Sequence, residues 1–383
     1  MTQDQHPLRF LWLGTYERDY TRTRVLMAGL RELGHDVVEC HRPLWELTRH
    51  KADTFLSPGR LPAIAGHGLT AWGSILRDQR RIGDIDAVVA GYPHQADTVP
   101  AWLIARGRRV PLIADAMISL SDTLAGDRGR VGRIAGAALT VLDTVTLRAP
   151  DLVICDTEQH ARYFTERFGV PQERIGVARV GAENEIFKPA PPPEGEPYAL
   201  FYGKLAPLHG LDTILRAARV AGTPPLRLIG GGQLEGWLTA ELQRDPPPRL
   251  EHVPWVEYEG LGGELARAAI VLGIFGTSPK AQRVVPNKVY HAMSVGRAII
   301  TSDTPAAREL LDHERHALLV PPGDAQALAQ AMTGLAVDTE LRRRLGDAAR
   351  ERFLEVASQR VVAADFIRAL HGRLDRDAGH TSP

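Results

Sequence analysis

The sequence predicts an α/β protein of two doubly wound, parallel-sheet domains that face one another across a cleft. Three observations predict it. Short β-branched runs ending in Gly or Asp alternate with amphipathic helical stretches, the rhythm of βαβ units. The rhythm breaks once, at Lys188–Pro197 (KPAPPPEGEP), where a Pro-rich tract favours stiff extended backbone. It then restarts, leaving two halves of similar size in a chain of 383 residues. The boundaries read as 1–188 for the first domain, 189–197 for a linker and 198–350 for the second domain. Helices over 351–374 are expected to pack back across the cleft, and 375–383 to form a disordered tail.

Arg9–Gly14 (RFLWLG) reads as a strand ending in glycine, and a helix follows from about Arg22 to Leu33. Gly34 ends that helix, and HDVVEC is a second strand, completing a βαβ unit. Ligands on such sheets bind at the carboxyl ends of strands, so the loop carrying Gly14, Tyr16 and Arg22 is expected to face the cleft. Tyr16 and Arg22 are candidates to touch a phosphate or an acceptor, although a loop aromatic and a helix-start Arg are common without function. The loop is not GxGxxG, which argues against a dinucleotide. Residues 42–82 hold helical patches without a single assignment. DIDAVVAGYP, RVPLIAD and DLVICDT read as further strands, separated by helices over AWLIARGR and about 131–148. Helix 158–168 and RIGVARVGA close the half. Asp115 falls where the fourth strand opens at its carboxyl end. Two readings stand there: an acid that orients a substrate hydroxyl, or the commoner turn or cap hydrogen bond.

The second half repeats strand, loop and helix from YALFYGKLAPLHGLDTIL through LRLIGGGQLEGWL to HALLVPPGDAQAL, whose helix is capped near Asp324. Within it, Val284–Asp303 (VVPNKVYHAMSVGRAIITSD) reads as a loop, a helix that Asn287 is able to cap, a stop at Gly296 and a buried strand. A loop feeding a helix N-terminus suits a phosphate, and Lys288 in the first turn adds a full charge; an ordinary helix–strand unit with a surface lysine fits the stretch equally.

Composition narrows the function. Lys+Arg and Asp+Glu both total 46, so global attraction to nucleic acid or anionic lipid is not encoded. The clusters RGRR (106–109) and DRGRVGR (127–133) read as local solvated faces, the second admitting at most a peripheral membrane contact. No run reaches the ~18 apolar residues of a spanning helix, and the N-terminus lacks a signal-peptide pattern, so the expectation is cytoplasmic. Cys40 and Cys155 lack metal or redox spacing and read as core residues, and no metal site is expected. His160, His252 and His313 read as surface residues. Lysine is rare. Of 46 cationic residues five are Lys (51, 188, 204, 280 and 288), and three of these fall in the second half, two in loops and Lys288 in the first turn of a helix. In a chain that otherwise uses Arg, Lys suggests a compact charge for a phosphate.

From about Phe201 to Pro322 the sequence resembles the donor domain of GT-B glycosyltransferases, in particular family GT4. YGKLAPLHGLDTIL is similar to the family's G-R-x-x-x-x-K-G segment, LIGGGQLEGWL to its glycine turn, and VPWVEYEGLGGELARAAIVL to its nucleobase border. PNKVYHAMSVGRAIITSDTPAARELL is similar to E-A-M-A-x-G-x-P-V-V and the P-E that follows. The end of the first half, DLVICDT…VARVGAENEIFKP, resembles the family's domain-ending pattern. The resemblance implies a GT-B architecture of two Rossmann-like domains. It places Lys204, His209, Asn287 and Lys288 at the donor diphosphate, with Lys204 at the family's phosphate-binding arginine. It places Gly231, Trp255, Val256 and Glu309 around the nucleobase and ribose. Asp115 stands where many members carry a catalytic-site histidine. The family's two glutamates, eight positions apart, fall on Arg283 and His291, the implied sugar-contact positions. The chain resembles a subset with P-x-K-x-[FY] there.

The activity so implied is metal-independent, retaining transfer of a sugar from a nucleoside-diphosphate sugar to an acceptor hydroxyl, with no cofactor. Acceptor candidates are a lipid carrier, a glycan or a small metabolite. With both glutamates replaced, a non-catalytic binding subunit of a glycosyltransferase pair is the alternative. A nucleotide-sugar epimerase is a more distant one.

Overall fold

The computed structural model describes residues 6–44, 61–127 and 131–380. Part of the unassigned 42–82 stretch, part of the 127–133 basic cluster and residues 381–383 therefore lie outside the described residues. The chain forms two compact units, Met1–Arg179 with Gln359–Pro383, and Val180–Ser358.

In the first unit six parallel strands run in the order β2-β1-β3-β4-β5-β6. They are β1 (Arg9–Gly14), β2 (Asp36–His41), β3 (Ala87–Ala90), β4 (Leu112–Asp115), β5 (Leu152–Cys155) and β6 (Ile175–Val177). The crossover helices are α1 (Thr21–Glu32), α2 (Leu61–Asp78), α3 (Thr98–Arg108), α4 (Arg133–Arg148) and α5 (Glu158–Phe168). Successive side chains of a strand point to opposite faces, so a strand covered on both sides reads as an unbroken apolar run. In β1, Phe10 and Trp12 pack towards α1, while Leu11 and Leu13 join the cluster holding Trp72 of α2 and Ile104 of α3.

The second unit also carries six parallel strands, in the order β12-β11-β10-β7-β8-β9. These are β7 (Ala199–Tyr202), β8 (Leu226–Ile229), β9 (Leu250–Val253), β10 (Ile270–Leu272), β11 (Ala298–Ser302) and β12 (Leu318–Val320). Between them run α6 (Leu211–Ala218), α7 (Glu235–Arg244), α8 (Leu261–Arg267), α9 (Asn287–Val295) and α10 (Pro305–Leu310). Then come α11 (Ala325–Val337) and α12 (Thr339–Val356). The chain order reverses between β7 and β10, which makes that crevice the switch point where ligands of doubly wound sheets bind. The corresponding point of the first unit lies between β1 and β3.

Two boundaries differ from the sequence expectation. The Pro-rich tract is part of the second unit, not a free linker. The Ala190 N–H donates to Val295 O, and the Arg297 guanidinium donates to the carbonyls of Ala190, Pro191, Leu265 and Ala266. One buried arginine thus satisfies carbonyls of a tract whose prolines cannot pair them within regular structure. At the other end, α13 (Gln359–His380) belongs to the first unit, where Gly29 of α1 sits against it. A Cβ on Gly29 would lie 2.1 Å from the Gln359 carbonyl oxygen, so the two helices touch backbone to backbone. This helix continues past Leu374 to His380, so 375–380 is helical rather than a disordered tail.

Candidate functional site

The β7/β10 switch point is built from glycine turns. Gly230, at φ 134°, follows β8, and a Cβ there would lie 2.1 Å from Gly203 O. Gly210, at φ 66°, precedes α6, and a Cβ there would lie 2.4 Å from the Phe275 carbonyl carbon. Only glycine permits these approaches. The turns are sewn together by Gly203 N–H to Ile229 O, Leu205 N–H to Gly231 O and Gly230 N–H to Val253 O, at 2.9–3.0 Å. Those three N–H groups are therefore committed to carbonyls. Those of Gly231 and Gly232 enter no such bond among the described residues.

Two side chains converge on Gly203. Its Cβ direction points at Lys288 Nζ, 3.5 Å away, and at His209 Cε1, 3.8 Å away. The Lys288 ammonium lies 4.4 Å from the Phe201 ring centre, and His209 meets the same ring edge-on at 5.6 Å. Lys288 is 4% exposed, and burial pulls its pKa down to about 7. The sequence foresaw a lysine in the first turn of α9. It did not foresee one buried over an aromatic ring. Nor does Asn287 cap that helix: Pro286 occupies the N-cap position, and no side chain makes a capping bond. Every residue from Lys288 to Val295 is buried, so α9 has no solvent face, whereas the sequence showed an apolar stripe.

His291, one turn along α9, is locked in place. Its ring stacks on Phe187 with centroids 3.7 Å apart, and its Nδ1 lies 2.7 Å from the Tyr202 hydroxyl. Burial first, then the Lys288 charge, drives its pKa down to about 3, so the ring is neutral. Tyr258 packs edge-on against Phe187 and donates its hydroxyl proton to the Glu183 carboxylate at 2.9 Å. Sequence reasoning missed Tyr202, Glu183 and Tyr258, since nothing local marks a partner many residues away. Arg283 is half-buried in the loop before α9. Lys204 is exposed just after β7, Glu309 is half-buried in α10, and Val256 is half-buried in the loop after β9. Trp255 is 66% exposed, its indole N–H bonded to Glu257.

The first unit's expected residues are largely spent on one another. Asp115, at the end of β4, is fully buried, and its Oδ1 accepts from Arg22 Nε at 3.0 Å. Arg22 is fully buried too, and it also donates to the carbonyls of Ala178 and Arg179. Burial raises the Asp115 pKa while the guanidinium opposes it. The pair is enclosed within the unit, and Arg22 Nη2 and Asp115 Oδ2 find no hydrogen-bond partner there among the described residues. Tyr16 is likewise buried, its hydroxyl bonded to Glu39 and its ring against His41. The loop after β1 is occupied by a residue the sequence reading passed over. Asp97 accepts from the Thr15 N–H at 2.7 Å and the Thr15 hydroxyl at 2.9 Å, and a Cβ on Gly14 would collide with it. His160, expected at the surface, is buried and paired with Asp156. His252 is half-buried against Gly230 O, and His313 is exposed.

Among the described residues no cluster of three or more His, Cys, Asp or Glu is placed to hold a metal ion. No helix among them is long and apolar enough to cross a membrane.

With that geometry in hand, known proteins resemble the chain as follows. Residues 196–338 match the family described as Glycosyl transferases group 1, and residues 20–181 the Glycosyl transferase 4-like domain. The amylovoran biosynthesis glycosyltransferase AmsK of Erwinia amylovora is 30% identical over 44% of this chain and 43% of its own length. A D-inositol 3-phosphate glycosyltransferase of Streptomyces scabiei is 25% identical over 84% of this chain and 76% of its own. The chain spans about half the length of the first curated relatives it matches. Among solved structures, sucrose-phosphate synthase from Thermosynechococcus elongatus has a TM-score of 0.71 at 17% identity, covering 98% of this chain and all of that one. Anabaena Alr3699/HepE in complex with UDP and glucose has a TM-score of 0.67 at 14% identity, covering 95% and 99%. At those identities the likeness is one of fold.

Proposed function

Because the chain belongs to the group 1 and 4-like (GT4) glycosyltransferases of GT-B fold, we propose that it transfers a sugar from a nucleoside-diphosphate sugar to an acceptor hydroxyl with retention. The observation that carries the reading is Lys288. It is a buried amine at the β7/β10 switch point, beside His209, with burial the only cause of its lowered pKa. A buried charge without a carboxylate beside it is costly, and an anionic ligand supplies the missing partner.

On this reading the donor diphosphate lies over Gly203, and Lys288 is protonated when it binds. The exposed Lys204 and the N–H groups of Gly231 and Gly232 add donors. As the bond from the anomeric carbon to the leaving oxygen breaks, negative charge grows on the diphosphate, and these groups stabilise it. The acceptor hydroxyl forms the new bond on the face the diphosphate leaves, and its proton passes to the leaving oxygen. Trp255, exposed beyond β9, and Glu309 serve the nucleobase and ribose. Asp115 acts through Arg22, by holding the turn at Ala178–Arg179, and does not meet the acceptor. The sugar is held without the family's two carboxylates, whose places are taken by Arg283 and a neutral, stacked His291.

The same substitution favours a second reading, a nucleotide-binding subunit without turnover of its own. One experiment separates the two. Thermal unfolding is followed with each nucleoside diphosphate, with and without chelator, and then transfer is assayed with the matching sugar donors. A ligand at about 100 times its Kd stabilises by about 2.7 kcal/mol. Chelator-insensitive stabilisation that Lys288→Ala abolishes, together with sugar transfer or slow donor hydrolysis, supports the enzyme. Stabilisation without product supports the subunit. No stabilisation by any diphosphate sinks both.

A further inference from the structure

One face of the first unit exposes apolar side chains where a solvent-facing helix normally carries charge. On α4, Ile134 is 90% exposed, Val141 63% and Val145 49%. On α3, Val99 and Leu103 are exposed, and on α2, Leu69. Nine of the fourteen large apolar side chains exposed among the described residues lie on these three helices. Scattered exposure needs no explanation, but concentration on one layer does.

The three helices are neighbours. The steps β2 to β3, β3 to β4 and β4 to β5 all move the same way across the sheet, so right-handed crossovers set α2, α3 and α4 side by side on one face. α1, which makes the opposite step, lies on the other face with α13. Leu76 and Arg80 at the end of α2 share a shallow groove of ≈ 370 Å³ with Leu103 and Arg108 of α3.

The charge on this layer is one-sided. Residues 61–81, 98–109 and 133–148 contain eight arginines and two aspartates. Neither aspartate offsets them at the surface. Asp78 pairs with Arg42, and Asp143 is fully buried, accepting from Ser119 and Ser121. The chain as a whole is balanced at 46 against 46, so the excess is local. Because the helices run parallel, Arg77 in the last turn of α2, Arg80 and Arg81 just after it, Arg109 after α3 and Arg148 at the end of α4 stand along one edge, all exposed.

We propose that this face docks peripherally on an anionic lipid bilayer. The apolar ridges enter the boundary between headgroups and acyl chains, and the arginine edge reaches lipid phosphates. Charge complementarity selects the occupant: although Arg106 pairs with Asp151, a broad apolar face edged by exposed arginines matches a sheet of phosphates above hydrocarbon.

The test is co-sedimentation of the full chain with vesicles of phosphatidylcholine, and of phosphatidylcholine with equal parts phosphatidylglycerol. Binding to the anionic vesicles is expected, weakening as salt rises. The double variant Val141→Asp/Val145→Asp, and separately Arg80→Glu/Arg81→Glu, is expected to weaken it by at least about tenfold while melting like the wild type. Val337→Asp, an exposed position in the second unit, is expected to bind unchanged. Failure of the wild type to bind anionic vesicles overturns the proposal, as does equal binding by the valine variants. A dimer in light scattering that Val141→Asp/Val145→Asp dissociates, without vesicle binding, would instead assign the face to a second copy of the chain.

Discussion

The Lys288 ammonium lies 4.4 Å from the centre of the Phe201 ring, inside the second unit's core and at the carboxyl end of its central strand. The ring face offers a cation some attraction but far less than water does, so the folded chain favours the neutral amine. This has a consequence for stability. Burial lowers the folded pKa from 10.5 to about 7. Between those values the unfolded chain holds a proton that the folded chain has released, so stability rises with pH across the window. Below pH 7 both states are protonated and the folded state carries the whole cost of the buried charge. Lys288→Met is expected to remove the rise and to stabilise the ligand-free protein at pH 7 by roughly 2 kcal/mol or more. Urea unfolding of both proteins between pH 6.5 and pH 9.5 checks this.

Nucleotide binding should reverse that preference. A diphosphate beside Lys288 favours the ammonium, so binding above pH 7 takes up a proton. Calorimetric titration at pH 8 in two buffers of different ionisation enthalpy is expected to show uptake of a substantial fraction of one proton. Lys288→Arg, which stays charged, is expected to bind with none. Uptake that survives in Lys288→Arg would place the titrating group elsewhere.

His291 tests what a neutral, stacked ring contributes one turn along α9 from Lys288. His291→Phe keeps the stack on Phe187 but strands the Tyr202 hydroxyl, and is expected to cost about 1–3 kcal/mol. His291→Glu brings a carboxylate into a buried aromatic layer beside Lys288. It is expected to cost more at pH 8, when Lys288 is neutral, than at pH 6, when the two pair. Equal losses at both pH values would show that the new carboxylate turns away from Lys288.

What the sequence made legible was local. Strand runs such as LVIC and AIIT, Gly296 as the stop of α9 and Asp324 as the cap of α11 are set by neighbours in the chain, and the structure has them there. What stayed hidden was pairing at a distance. Arg22 and Asp115 are 93 residues apart, and Tyr202 and His291 are 89 apart. A residue at a strand's carboxyl end looks available until its partner is known. That is why Tyr16, Arg22 and Asp115 read as site residues, and why the buried His160 read as a surface one. The Pro-rich tract misled for the same reason: Arg297, more than a hundred residues on, turns it into packed structure.

The Arg22–Asp115 pair predicts an asymmetry between single and double variants. Asp115→Ala leaves a fully buried guanidinium without its carboxylate and is expected to cost about 3–5 kcal/mol. Asp115→Asn keeps an acceptor for Arg22 and is expected to cost less. Arg22→Met with Asp115→Leu removes both charges and is expected to lie near wild-type stability, apart from the bonds lost at Ala178 and Arg179. Denaturant midpoints of the three variants decide it. A double variant less stable than either single one would show that the pair contributes more than mutual neutralisation.

Asp97 gives the first unit the opposite pH signature. Burial pushes its pKa from 3.8 up to about 7, against the Thr15 hydrogen bonds that pull it down. Between these values the folded chain holds a proton the unfolded chain has lost, so this group's contribution is complete below the lower value and is lost as pH rises through the upper. Asp97→Asn supplies an acceptor for the Thr15 N–H and a donor for its hydroxyl without ionising. It is expected to match the wild type near pH 4 and to exceed it by roughly 2 kcal/mol or more at pH 8. Lys288 contributes least below pH 7 and Asp97 least above it, so the two windows meet near neutrality. Each variant should therefore flatten one side of the wild-type pH–stability curve and leave the other. An Asp97→Asn curve parallel to the wild type from pH 4 to pH 8 would show that the carboxylate is already ionised in the folded state.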